Sequence, residues 1–182
     1  MEKWKLLSSK LLLDSHWLRL HQNSYELPKE KRVIPEYYIT ESADSAICVC
    51  FTGSHFVIVK QYRPAIDKFT LCHPGGRLEK EDESPVSGAL RELLEETGYV
   101  PNETVSLGCF AQIPGVTTAR VHIFLVYCGP LSLENKSIDE TEELETMLML
   151  PDDLKKIIES GDMDCVTCVA ASYRAFQYIG MV

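Results

Sequence analysis

Short apolar runs separated by turn residues occupy most of the chain, and one strongly two-faced helical stretch interrupts them. Alternating, β-branched and aromatic runs predict strands over 4–13, 17–27 and 33–40, with Pro28 to Lys31 as a polar turn. The runs 46–51 and 56–62 are joined at Thr52 to His55 and read as a hairpin, followed by a short strand over 69–73. Further strands are expected over 105–112, 121–127 and 144–150, flanking a loop from Ile113 to Arg120. A helix starts at Pro151 and a last one near Asp164; the only linker-like stretch is 131–139. There is no internal repeat.

The two-faced stretch runs from Pro85 to Thr97. Ser84 suits the N-cap, Pro85 the first helical position, where no intrahelical N–H is lost, and Gly98 the left-handed C-terminal cap. Glu92, Glu95 and Glu96 stand at i, i+3 and i+4, which gathers three carboxylates into an arc of roughly 100°. Val86, Ala89, Leu90, Leu93 and Leu94 take the opposite side. Such a face is either solvated, at a repulsive cost of about 0.2–0.5 kcal/mol per close pair, or a seat for a hard divalent cation, which takes oxygen ligands.

Size and charge narrow the field. At 182 residues the chain is long enough for one well-buried domain and short for two. Eighteen Lys and Arg against 27 Asp and Glu leave a formal charge of -9, which disfavours broad binding to nucleic acid or anionic membrane. An anionic substrate must then be met by a bound cation and local Arg or Lys. No apolar run approaches the roughly 20 residues that span a bilayer, and the N-terminal stretch lacks a clean signal-peptide core, so a cytoplasmic location is expected. The odd, scattered set of seven cysteines does not read as a disulfide framework; most read as small core residues. Cys165 and Cys168 form a lone CxxC in the last predicted helix, read as packing rather than metal or redox chemistry.

The wider pattern around the acidic helix resembles the Nudix hydrolase signature: a Gly, five residues, a Glu, seven residues, then Arg-Glu-apolar-x-Glu-Glu-x-Gly-apolar. Arg91 to Gly98 supply the REXXEEXG block, Tyr99 the bulky apolar position, and Glu83 stands at the required distance before Arg91. Only the opening departs, because the signature Gly falls on Arg77 while Gly76 lies one residue earlier, as if the following loop carried a one-residue insertion. Outside the block, the order QYRP, a short strand, Pro-Gly-Gly, the block, a Pro-Gly loop and HIFLV resembles the ADP-ribose and ADP-sugar pyrophosphatase branch.

The resemblance implies an α/β Nudix fold, a mixed β-sheet sandwiched between α-helices, with extra N-terminal antiparallel strands. Residues 1–43 form that extension, which in this branch often pairs with a second subunit, so a homodimer is implied; residues 44–182 form the hydrolase domain. Mg²⁺, with Mn²⁺ as a substitute, is the implied cofactor. Glu92 and Glu96 are carried over as its ligands, Glu95 as ligand or water-orienting base, and the Gly75 and Gly76 turn as the source of a backbone carbonyl ligand, assigned to Gly75. Arg91 stands four residues before Glu95 and could hold it; Glu83 is read as ordering the loop. Arg63 and Arg120 are candidate phosphate or ribose clamps, each with an ordinary ion pair as its alternative. Tyr37, with Trp17 and Tyr38 beside it as weaker choices, could stack on a base or simply pack. Where the branch often carries a catalytic Glu after Pro-Gly, this chain has Ala119. The acidic run Glu140, Glu142, Glu143 and Glu145 offers a replacement base, with Glu143 the best match. The implied activity is Mg²⁺-dependent hydrolysis of a nucleotide sugar, foremost ADP-ribose or an ADP-sugar, to a nucleoside monophosphate and a sugar phosphate. Alternatives are GDP-sugars or other nucleotides as substrate, or a non-catalytic nucleotide sensor on the same fold.

Overall fold

The computed structural model describes residues 1–131 and 143–181, and the chain separates by compactness into two units. Residues 1–44 together with 110–120 form the first. Its strands β1 (Lys5–Asp14), β2 (Arg19–Glu26) and β3 (Val33–Glu41) make an antiparallel three-stranded sheet in that order. Trp4, Tyr25 and Tyr37 meet edge-on, with ring centroids 5.7–6.1 Å apart, an arrangement favoured by the ring quadrupoles. The Tyr37 hydroxyl donates to the Gly115 carbonyl at 2.9 Å, and the Thr40 N–H to Val116 O at 2.8 Å, which fastens the 113–118 loop to β3. All ten residues of β1 are exposed.

The second unit, residues 45–109 and 121 onward, is built on a mixed sheet. Its strands in chain order are β4 (Ser45–Phe51), β5 (Phe56–Arg63), β6 (Lys68–Cys72), β7 (Gly75–Arg77), β8 (Tyr99–Ala111), β9 (Arg120–Leu131) and β10 (Leu144–Met149). The spatial order is β10-β5-β4-β9-β8, with β6 on β5 and β7 on β4. β4 runs parallel to β9 and antiparallel to β5 and β7. Helices α1 (Pro85–Thr97), α2 (Pro151–Ser160) and α3 (Val166–Ile179) complete it.

The period of two along β4 explains the layering. Ala46, Cys48 and Cys50 turn to one core, shared with Ala89 and Leu93 of α1. Ile47, Val49 and Phe51 turn to the other, with Leu154 of α2 and Phe176 of α3. A sheet buried on both faces reads as a continuous apolar run, which is why Ala46 to Phe51 shows no polar alternation. Full burial of a side chain such as Phe56 or Leu125 contributes about 1.5–3 kcal/mol.

The expected elements form, with shifted ends. β8 begins at Tyr99 rather than Val105, across Pro101, Asn102 and Glu103, residues of poor strand propensity that sheet pairing overrides. β7 was not anticipated, because a three-residue strand containing two glycines carries no propensity signal; its partner β4 imposes it. One disulfide, Cys50–Cys128, departs from the all-thiol expectation: both residues project to the α1 core from the neighbouring strands β4 and β9, with Cα atoms 6.2 Å apart. Glu140, Glu142 and nearly all of the linker-like stretch lie outside the described residues.

Candidate active site

Helix α1 carries the chemistry, and its ends are fixed locally. Ser84 caps the N-terminus by accepting from the Ser87 N–H, and the Ser87 hydroxyl accepts from the Ser84 N–H in return, a capping box with Ser in the place usual for Glu or Gln. Gly98 ends the helix at φ 74°, and its N–H donates to Leu94 O at 2.8 Å. With Ala89 and Leu93 packed into the core, the helix cannot rotate its glutamates away.

Each glutamate has a defined partner. Glu96 is only 5% exposed, and its Oε2 accepts the Gly75 N–H at 3.0 Å. Glu92 lies against Gly76, where a Cβ would stand 2.7 Å from the Glu92 carboxylate, so the glycine leaves room for that group. Gly75 itself is at φ +147°, and a Cβ there would strike the Ala46 carbonyl oxygen and lie 2.8 Å from Ile47 Cα. The strand carrying both glycines is thus pressed between β4 and α1. Gly76, the residue one position short of the signature Gly, is the one that meets Glu92.

Arg91 is the hub. Its Nη1 lies 2.9 Å from Glu95 Oε2 and 3.1 Å from Glu92 Oε1. Its Nε and Nη2 grip the two carboxylate oxygens of Asp82 at 3.2 and 3.3 Å, the bidentate fork that a guanidinium favours. Arg91 thereby sets the i, i+4 contact with Glu95 expected from spacing. Partial burial pulls its pKa down, but the hydrogen bond it donates to Asp82 and the surrounding carboxylates raise it further, so it stays charged. Asp82 in turn is held below the usual carboxylate range, first by the Arg91 hydrogen bond.

Asp82 is the functional residue that the sequence reading missed. The loop-ordering role assigned to Glu83 falls to its neighbour: Asp82 Oδ2 also accepts the Glu79 N–H at 2.8 Å, whereas Glu83 is exposed. The available signal was the run of three acids, Glu81 to Glu83, in a loop whose length differs from the signature by one residue.

The other predicted residues take separate places. Arg63 is exposed at the end of β5, opposite Lys68 of β6. Glu143 is exposed immediately before β10. Arg120 begins β9, and its N–H donates to Asp44 Oδ1 at 2.8 Å; Ala119 before it is 2% exposed. Tyr37 borders a cavity of about 400 Å³ in the first unit, lined also by Trp4, Tyr25, Ile39 and the 114–118 loop. Trp17 and Tyr38 are exposed and do not line it.

Hard oxygen donors on a fixed helix face, with Glu92 seated against Gly76 and Glu96 held by Gly75, suit a divalent cation such as Mg²⁺. Glu92, Glu96 and Glu95 would hold it, with a carbonyl of the Gly75 strand.

The helix thus presents its carboxylates to a glycine strand on a mixed sheet, and comparison with known proteins gives the family. The family model described as "NUDIX domain" matches residues 42–166. The chain is 31% identical over 170 residues to an ADP-ribose pyrophosphatase of Bacillus subtilis (strain 168), covering 93% of this chain and 91% of that protein. It is 30% identical over 175 residues to a methanol dehydrogenase activator of Bacillus methanolicus, covering 95% and 93%. A solved structure titled "Crystal structure of ADP compounds hydrolase" superposes with a TM-score of 0.85 at 19% identity, covering 99% of this chain and 96% of that one, which shows the fold. The chain belongs to the Nudix family and is a Nudix hydrolase. Hydrolases of this family generally require a divalent cation, usually Mg²⁺.

Proposed function

We propose that this hydrolase cleaves the diphosphate of a nucleotide sugar, foremost ADP-ribose or an ADP-sugar, with Mg²⁺ seated on Glu92, Glu96 and Glu95 and on a backbone carbonyl of Gly75. The observation that carries the proposal is the clamp of Gly75 and Gly76 on Glu96 and Glu92, supported by the ADP-ribose pyrophosphatase relative that spans nearly the whole chain. Bound there, the cation would offset the diphosphate's charge and polarise a phosphoryl oxygen. The protein's own part is positional. Arg91 holds Glu92 and Glu95 in register, and Gly75 holds Glu96. A water oxygen bonds to phosphorus, the bond from phosphorus to the bridging oxygen breaks, and the water's proton passes to a carboxylate, Glu95 in the first instance or Glu143.

Arg63 is proposed to clamp a phosphate, Arg120 a phosphate or ribose, and Tyr37 to present a ring to the base. The molecule is proposed to act as a homodimer through β1. That strand is a sheet edge with Leu6, Leu7, Leu11, Leu12 and Leu13 all exposed, an arrangement that soluble chains ordinarily cover. A panel of ADP-ribose, ADP-sugars, GDP-sugars and nucleoside triphosphates, incubated with Mg²⁺ in ¹⁸O-labelled water and read by mass spectrometry, tests the substrate and the bond cleaved together. AMP and a sugar phosphate formed fastest from the ADP compounds support the reading. Preference for another class, or tight binding without product, overturns it.

A further inference from the structure

The CxxC set aside from sequence acquires a third sulfur in the fold. Cys72 ends β6, Cys165 is the N-cap of α3, and Cys168 lies in that helix's first turn. Their three Sγ atoms all lie within 4.8 Å of one another, and among the described residues this is the one such set of three His, Cys, Asp or Glu ligand atoms. Cys72 and Cys168 are buried, while Cys165 is partly open to solvent. All three belong to the second unit, and Cys72 and Cys168 pack in the core on the face of β4 opposite α1.

The surroundings suit a cation better than a pair of exchanging thiols. Three sulfurs converge here, one more than a disulfide pair uses, and Cys72 and Cys168 are buried. Cys165 stands at the N-terminus of α3 with the sulfurs of Cys72 and Cys168 beside it. Next to Cys72, the buried His73 bonds to the same helix. Its Nε2 lies 2.7 Å from Ser172 Oγ, and that hydroxyl donates to the Cys168 carbonyl at 2.9 Å. Among the described residues His73 Nδ1 has no hydrogen-bond partner.

We propose that Cys72, Cys165 and Cys168 form a binding site for one thiophilic d¹⁰ cation, Zn²⁺ or Cu(I), distinct from the carboxylate site. Soft thiolates select such ions over Mg²⁺. On binding, each coordinating thiol gives its proton to solvent and its sulfur lone pair to the metal.

The test uses the full chain carrying Glu92→Gln, reduced with a phosphine and stripped with chelator, so that neither hydrolysis nor the carboxylate site affects the readout. One arm is loaded with Zn²⁺, one anaerobically with Cu(I), and one with Co²⁺ as a spectroscopic probe. The expected result is one equivalent of Zn²⁺ or Cu(I) retained after desalting, with a thiolate-to-cobalt charge-transfer band in the third arm. Both are lost in Cys165→Ser, a change that places a favoured N-cap residue at the start of α3 and so spares the fold. Alkylation mapping of the unmutated cysteines is the second measurement: the retained metal protects Cys72, Cys165 and Cys168 from iodoacetamide. Retention of neither ion, retention undiminished by Cys165→Ser, or unprotected cysteines overturns the proposal. Which arm retains metal identifies the ion.

Discussion

The backbone N–H of Gly75 donates to Glu96 Oε2 at 3.0 Å, so a strand residue holds a buried helix carboxylate in place. Burying a carboxylate is costly unless its charge finds donors. This hydrogen bond is one of the contacts that make Glu96 tolerable at 5% exposure.

Gly75→Ala should therefore damage both fold and site. The position has φ +147°, and the added Cβ meets backbone atoms of Ala46 and Ile47, which cannot swing aside. A loss of at least about 2 kcal/mol is expected in urea unfolding, with hydrolysis falling alongside. Unchanged stability would mean that β7 is not pressed against β4 as described.

Gly76→Ala separates the two effects. Its Cβ meets the end of the flexible Glu92 side chain rather than backbone. Stability should change by less than about 1 kcal/mol, while the Mg²⁺ concentration giving half-maximal hydrolysis rises about tenfold or more. An unaltered Mg²⁺ dependence would remove Glu92 from the metal site.

These two glycines also show where sequence reasoning stops. Helix α1 was legible to the residue, because its caps, its Pro and its period of 3.6 are all local signals. The alternation of β4 between two cores explains why its strand was legible but its neighbours were not: a buried run shows that both faces are covered without showing by what. β7, the Asp82 fork and the Cys72, Cys165 and Cys168 cluster depend on contacts between segments distant in sequence, and no local pattern marks them. Glu92, Glu95 and Glu96 were named from spacing and resemblance, and the Arg91 contact with Glu95 was expected from spacing; that Arg91 also reaches Glu92 and that Gly75 holds Glu96 is visible only in three dimensions.

Asp82→Asn tests the fork through pH. Its hydrogen bond to Arg91 lowers the folded-state pKa, so its stabilisation is fully present above the unfolded value near 4 and is lost as pH falls through the folded value. The variant should be about 1 kcal/mol less stable than wild type at neutral pH, and the gap should close on acidification below about pH 4. Denaturant titrations at several pH values check it; a gap independent of pH would show that packing, not charge, is what the substitution removes.

Glu143→Gln addresses the proton acceptor. The side chain is exposed before β10, with no hydrogen bond or ion pair to another of the described residues, so the variant's melting temperature should stay within about 1 °C of wild type. If Glu143 replaces the Glu absent at Ala119, turnover drops about 100-fold or more and the alkaline limb of the pH–rate profile changes shape. Unaltered turnover removes Glu143 and leaves the proton to Glu95.

Leu12→Glu probes the assembly. β1 is an edge strand whose ten residues are all exposed, and a charge within its apolar Leu11–Leu13 run opposes both edge-to-edge pairing and apolar contact. Lying in a solvent-facing strand, the substitution should cost the isolated chain less than about 1 kcal/mol. Sedimentation equilibrium should give a dimer for wild type and a monomer for the variant. A wild-type monomer at all concentrations would show that the leucines of β1 serve no second copy, and a dimeric variant would place the interface elsewhere.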